Sequence, residues 1–141
     1  MAQFTWNDDL CTGSSLIDGD HRKLIDRVNS FYQCMESDED NGRVSNAMYA
    51  LIAYSSEHFA REEAEMQRIQ YVAALAHKAE HRKLLKQLFE LKETLDAGGR
   101  MNVPAVASYL SEWLHDHILI KDMQLAAALK HHSPAPAAQP R

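Results

Sequence analysis

The sequence predicts an all-α protein, an up-down-up-down antiparallel four-helix bundle with an N-terminal arm and a disordered C-terminal tail. Three observations carry that prediction. Apolar residues recur at three- and four-residue spacings in four separate stretches, the period of helices that each bury one face. Short polar or glycine-bearing connections join the stretches, so successive helices fold back on one another. The 141 residues are 45% hydrophobic yet hold only five glycines and four prolines, which suits helices around a single core.

Residues 1–15 form the polar arm, in which Trp6 and Leu10 are the side chains expected to pack on the domain. The first helix starts near Asp18 and carries His21, Leu24, Ile25, Val28, Phe31, Tyr32 and Met35 on its apolar stripe. The run "SDEDNG" then turns the chain. A second helix over roughly 43–67 places Val44, Met48, Leu51, Ser55, His58 and Glu62 on one face. After "IQYVA" the third runs to Ala97 with His77, His81, Leu84, Leu88, Leu91 and Leu95 in register, and Gly98-Gly99 stops it. Asn102 is a suitable N-cap for the fourth, Pro104 falls in its first turn, and Val106, Leu110, Trp113 and His117 form its stripe. That helix is expected to end before "HHSPAPAAQPR", giving a bundle over residues 1–130 and an aperiodic Pro/Ala-rich tail over 131–141.

Composition excludes several function classes. A formal charge of −5 with Lys and Arg dispersed among Asp and Glu leaves no basic stripe for nucleic acid. "MAQFTWNDDLCTG" has neither the basic nor the apolar region of a signal peptide, and no stretch approaches a membrane span, so a cytoplasmic monomer without membrane contact is expected. Cys11 and Cys34 form no CxxC, which removes a zinc knuckle or thioredoxin-like motif and leaves two reduced thiols.

Every predicted helix places histidine on its buried stripe: His21, His58, His77 with His81, and His117. Glu62 shares a face with His58 one turn earlier, and Asp122 follows His117. One histidine on an apolar face is more often a core residue with a single hydrogen bond, and a buried salt link would account for His58 and Glu62 alone. The full set is a different matter. Burying so many ionisable groups uncompensated costs roughly several kcal/mol each, enough to unfold a domain of this size, whereas a metal centre compensates them together. Five imidazoles and two carboxylates are too many for one tetrahedral zinc. Calcium and magnesium prefer oxygen, while imidazole mixed with carboxylate suits iron, and two iron ions bridged by both carboxylates use every group. A ferritin-like site would need paired ExxH motifs, and the sequence has only Glu112 to His115. His115 lies nearly opposite His117 on a helix, so it is read as solvent-facing, as are His131 and His132.

The ordered set of His21, HxxxE at His58 to Glu62, HxxxH at His77 to His81, and HxxxxD at His117 to Asp122 resembles the hemerythrin family, specifically its single-domain bacterial members. The resemblance runs from Trp6 to Asp122 and fills all seven ligand positions. It implies two iron ions with a bridging oxo or hydroxo group: His77, His81 and His117 on one iron, His21 and His58 on the other, Glu62 and Asp122 bridging. The first iron is then six-coordinate and the second has a vacancy for a small diatomic ligand. His117 and Asp122 stand five apart, which an ideal helix splays, so a local wide turn near residues 118–121 is expected to realign them.

The family resemblance further implies reversible oxygen binding for storage, transport or delivery to an oxygen-using enzyme, and no catalytic residues. Imidazoles outnumber carboxylates in the set, so the centre has less anionic charge to stabilise high-valent iron, which favours reversible binding over oxygenase chemistry. An oxygen, nitric oxide or redox sensor is the alternative, and a di-iron oxidase or peroxide-consuming enzyme a weaker one. Trp113, Leu114 and Ile118 flank His117 and are expected to line the oxygen pocket, while Trp6, Tyr54, Phe59 and Tyr71 are read as packing or supporting side chains.

Overall fold

A computed structural model describes residues 4–36, 41–99 and 103–132. The helices are α1 (Ser15–Glu36), α2 (Asn41–Ile69), α3 (Ala74–Asp96), α4 (Val103–Asp116) and α5 (Met123–His132). A π-helical segment, His117–Asp122, joins α4 to α5 without a break, so the chain makes four helical rods, and a short 3-10 turn at Asp8–Leu10 precedes them. α2 packs against α1 and α3, and α1 also packs against α4, as an up-down-up-down bundle requires. The described residues contain no strand, and no helix among them is long and apolar enough to cross a membrane.

α1 begins earlier than its apolar pattern because its first turn is polar and is set by hydrogen bonds. The Ile17 N–H donates to Ser14 Oγ at 3.2 Å, while the Asp18 carboxylate accepts from the Thr12 N–H at 2.9 Å and the Thr12 hydroxyl at 2.7 Å. The arm that leads into it is anchored by Leu10, by Phe4, which the sequence reading overlooked, and by a half-buried Trp6 under the Arg22 guanidinium at 4.4 Å. Asn29 holds the Phe4 backbone on both sides, accepting from its N–H at 2.9 Å and donating to its carbonyl at 2.9 Å.

α3 stops where Gly98-Gly99 predicted. Gly98 adopts φ 84°, and the Gly99 and Gly98 N–H groups donate to Thr94 and Leu95 carbonyls at 2.8 and 3.0 Å, a Schellman closure. α2 starts at Asn41 rather than residue 43, and α5 continues through His132 rather than ending ahead of it. The expected N-cap Asn102, residues 37–40 of the first turn and the tail from residue 133 lie outside the described residues. Cys11 and Cys34 are both free.

Two apolar clusters fill the interior. The larger runs along the bundle from Phe4 and Leu10 through Phe31, Met48, Leu88 and Leu110 to Ile118, and the smaller gathers Ile17, Met66, Leu125 and Ala126. On three rods the order is the same: small cluster, buried polar residue, large cluster, as in Ile17, His21, Leu24 on α1. Apolar packing therefore closes the polar layer on both sides. Tyr32 ties α1 to α4 by donating to the Ala107 carbonyl at 2.8 Å, with Ser111 Oγ at 2.9 Å.

α2 ends with the same type of closure as α3 but without glycine: exposed Gln70 takes φ 52°, and the Tyr71 N–H donates to the Met66 carbonyl at 2.9 Å. A side chain in that region is strained by about 1–2 kcal/mol. Gln70→Gly is expected to stabilise the fold by about 1 kcal/mol net of the added unfolded-state entropy, raising the melting temperature by a few degrees in a thermal scan. An unchanged or lower melting temperature would refute the strain.

Candidate metal centre

Four elements deliver the polar layer. His21 comes from α1, His58 and Glu62 from α2, His77 and His81 from α3, and His117 and Asp122 from the π segment. None of the seven is more than 3% exposed. The one-turn spacings of His58 to Glu62 and His77 to His81 put each pair on one face, as an ordinary helix allows. His117 and Asp122 meet by another route: the π segment widens the turn so that residues five apart come into line.

The donors form two sets that share both carboxylates. Glu62, His77, His81, His117 and Asp122 make one, and His21, His58, Glu62 and Asp122 the other, with the ligand atoms in each set all within 4.8 Å of one another. Each carboxylate divides its oxygens between the sets. Glu62 Oε2 lies 2.8 Å from His58 Nε2 and 3.6 Å from His21 Nε2, while Oε1 lies 3.1 Å from His81 Nε2 and 3.4 Å from His77 Nε2. Asp122 Oδ2 meets His21 Nε2 at 2.7 Å, and Oδ1 meets the Nε2 atoms of His77 and His117 at 3.0 and 3.2 Å. Two carboxylates that each face both sets can bridge two cations.

Protein hydrogen bonds alone leave part of this layer unsatisfied. His58 Nε2, His81 Nε2 and both Glu62 oxygens are buried without a hydrogen-bond partner. Imidazole nitrogens and carboxylate oxygens that converge in this way are donors a cation can satisfy, in place of the protons the imidazoles otherwise carry. The electrostatics show how the layer holds together through protons alone. Burial opposes ionisation of Glu62, yet the close approach of the His21, His58, His77 and His81 nitrogens outweighs it and holds the carboxyl well below its ordinary range. Asp122 is likewise held low against burial and the nearby Glu62 charge, through His117 and His21. Burial also opposes the charged form of His58 and His77, but carboxylates push both up to about 9. The pull between imidazole and carboxylate thus exceeds the cost of dehydration within the protein's own groups.

Around the set stands a support layer the sequence reading only partly anticipated. Asp20 accepts from His58 Nδ1 at 3.0 Å, and Glu63 meets His81 Nδ1 at 2.8 Å. Phe59 stacks on His81 with centroids 3.8 Å apart and 7° between planes, and Trp113 stacks on His117 at 4.4 Å and 11°. Asp20 and Glu63 were missed because apolar periodicity does not mark them. The signal that could have found them is a carboxylate next in sequence to a candidate ligand, since metal-binding histidines commonly donate their second nitrogen to one. Leu114 and Trp113 line a small apolar cavity with Leu24, Leu51, Ser55 and Leu84, while Ile118 is fully buried in the same cluster. His115, His131, His132 and Glu112 are exposed and take no part.

Comparison with known proteins agrees with this geometry. Residues 12–129 match the family profile described as the hemerythrin HHE cation binding domain. The chain belongs to the hemerythrin family. Among curated relatives, the bacteriohemerythrin of Stenotrophomonas maltophilia is 31% identical over 94% of this chain and 85% of its own length. That of Pseudomonas aeruginosa is 29% identical over 93% and 84%, and that of Methylococcus capsulatus 31% identical over 84% and 90%. A solved wild-type hemerythrin superposes with a TM-score of 0.83 at 29% identity, covering 91% of this chain and 98% of that one.

Phe59 is 2% exposed and holds the His81 ring by face-to-face contact. Phe59→Ala is expected to cost about 3–5 kcal/mol through the cavity it opens, read as a lower urea midpoint for the metal-free protein. A loss under about 1 kcal/mol would show that the ring is dispensable to the layer.

Proposed function

We propose that this hemerythrin-family chain binds oxygen reversibly at a non-heme centre of two iron ions with a bridging oxo or hydroxo group. The observation that carries the reading is the division of oxygens in Glu62 and Asp122, one from each carboxylate toward each set of imidazoles. In this reading His77, His81 and His117 would hold one iron and His21 and His58 the other, with Glu62 and Asp122 shared by both. One set counts five residues and the other four, so the open position belongs with His21 and His58. Held there, a pair of reduced irons would supply the reversible electron donation that retaining and releasing a diatomic molecule requires.

The protein's part is placement and exclusion. Imidazoles locked by Asp20, Glu63, Phe59 and Trp113 cannot swing away as ligands come and go. The apolar clusters above and below keep out water and external protons, and Leu114 and Ile118, at 4% and 0% exposure, are the wall beside His117. Storage, transport or delivery to an oxygen-using enzyme fits a centre whose titratable groups are all spent on ligation and support.

Metal analysis is expected to return two irons per chain, and the iron-free protein to melt lower than the loaded one, because the metal binds the native state alone. A single iron, native zinc or superposable melting curves would each count against the centre as drawn. The function itself is tested by reducing the loaded protein without air, admitting oxygen, then removing and readmitting it. A visible absorption band that appears and disappears through the cycle supports a carrier, whereas irreversible oxidation with consumption of a reductant supports an enzyme.

The wall gives a sharper expectation. Ile118→Asn and Leu114→Ser should retain both irons and the helical fold, lose about 1–3 kcal/mol of stability to a buried polar group, and shorten the life of the oxygen-loaded protein. Stopped-flow decay equal to that of the parent, at full iron content, would assign both residues to packing alone.

A further inference from the structure

Asp20 precedes His21 on α1, yet its carboxylate turns to α2. Four donors meet it: the Tyr54 hydroxyl at 2.9 Å and one Arg61 nitrogen at 2.8 Å on Oδ1, the Arg61 Nε at 2.8 Å and His58 Nδ1 at 3.0 Å on Oδ2. We propose that Asp20 is a positioning residue that fixes His58 with Nε2 free for metal, and that Arg61 moderates how strongly that nitrogen donates. The proposal rests on the di-iron reading of the seven buried residues.

The geometry carries each part. An ionised carboxylate only accepts, so the contact with Nδ1 requires the proton there and leaves the Nε2 lone pair facing Glu62. With two oxygens engaged by four donors, the carboxylate cannot rotate without breaking several bonds, so His58 is held in one orientation. Its partner in the four-residue set is not: His21 Nδ1 is buried with no hydrogen-bond partner. The metal at the open position therefore depends on His58 for its fixed imidazole. A carboxylate behind an imidazole raises its basicity toward metal. Here the guanidinium takes Asp20 by a two-point fork, drawing negative charge away from His58. Arg61 is 38% exposed at its side chain, so it can be replaced without burying a void.

Opposite effects of the two partners distinguish this role from an ordinary ion pair between helices. Asp20→Ala is expected to release one of two bound irons to a chelator about 10–100-fold faster than the parent, with the other unchanged, and Asp20→Asn, which keeps an acceptor, to fall between. The same Asp20 variants should raise the reduction potential of the centre, since less charge supports the oxidised metal, whereas Arg61→Gln should lower it. In the diamagnetic zinc-loaded protein, the Nδ1–H proton of His58 should be slow to exchange by NMR in the parent and in Arg61→Gln, and fast in Asp20→Ala. Shifts of the same sign in Asp20→Asn and Arg61→Gln, or parental chelator kinetics in both Asp20 variants, would overturn the proposal. Oxygen uptake is read separately. A parent that holds two irons but takes up no oxygen defeats the carrier reading and leaves the Asp20 result standing; two irons, oxygen uptake and indifferent Asp20 variants do the reverse.

Discussion

The attraction between two buried carboxylates and five buried imidazoles organises this protein. Glu62 and Asp122 are 2% and 0% exposed, positions where an isolated carboxylate would be neutralised or would unfold the chain. They remain because each is enclosed by histidines whose nitrogens approach from both sides. Removing one partner leaves the rest uncompensated, so the layer stands or falls as a unit. The helices must be long and in register because the layer needs a contribution from each rod at the same height.

That requirement accounts for much of the remaining structure. Apolar clusters on either side of the layer lower the local dielectric and so strengthen every contact within it. Aromatic faces are laid against His81 and His117, and carboxylates stand behind the outer nitrogens of His58 and His81, so the orientation of these three rings is settled by the protein itself. Preorganisation of this kind reduces the rearrangement that accompanies ligand exchange at a metal.

Most of the bundle was legible because burial here follows helical period closely. The stripe of Val44, Met48, Leu51, Ser55, His58 and Glu62 is buried at every position, and the glycine pair closed α3 where it stood. The ligand-type residues were legible for a different reason: histidine at core positions violates the apolar pattern, and a violation repeated on every stripe calls for a compensating agent. What periodicity could not mark lies off the stripe. Asp20 faces neighbouring α2 through a tertiary contact, Phe4 is buried by an arm with no repeat, and the start of α1 depends on the Ser14 and Asp18 hydrogen bonds. Gln70 in a left-handed conformation has no sequence signature, since glycine is the residue that position ordinarily selects.

The π segment does more than bring Asp122 beneath His117. From α4 into the π segment the buried positions are Val106, Ala107, Leu110, Leu114, His117 and Ile118; the stripe through Val106, Leu110 and His117, continued at the same pitch, would reach Lys121 and Gln124. Beyond the widened turn they fall instead on Asp122, Leu125 and Ala126. One surplus residue has rotated the phase of everything downstream by about 100°. α5 therefore presents Leu125 and Ala126 to Ile17 and Met66, closing the small cluster, while Ile120 is left half exposed on the far side. The same backbone irregularity that admits the last carboxylate also turns the end of the rod into a stopper for the chamber.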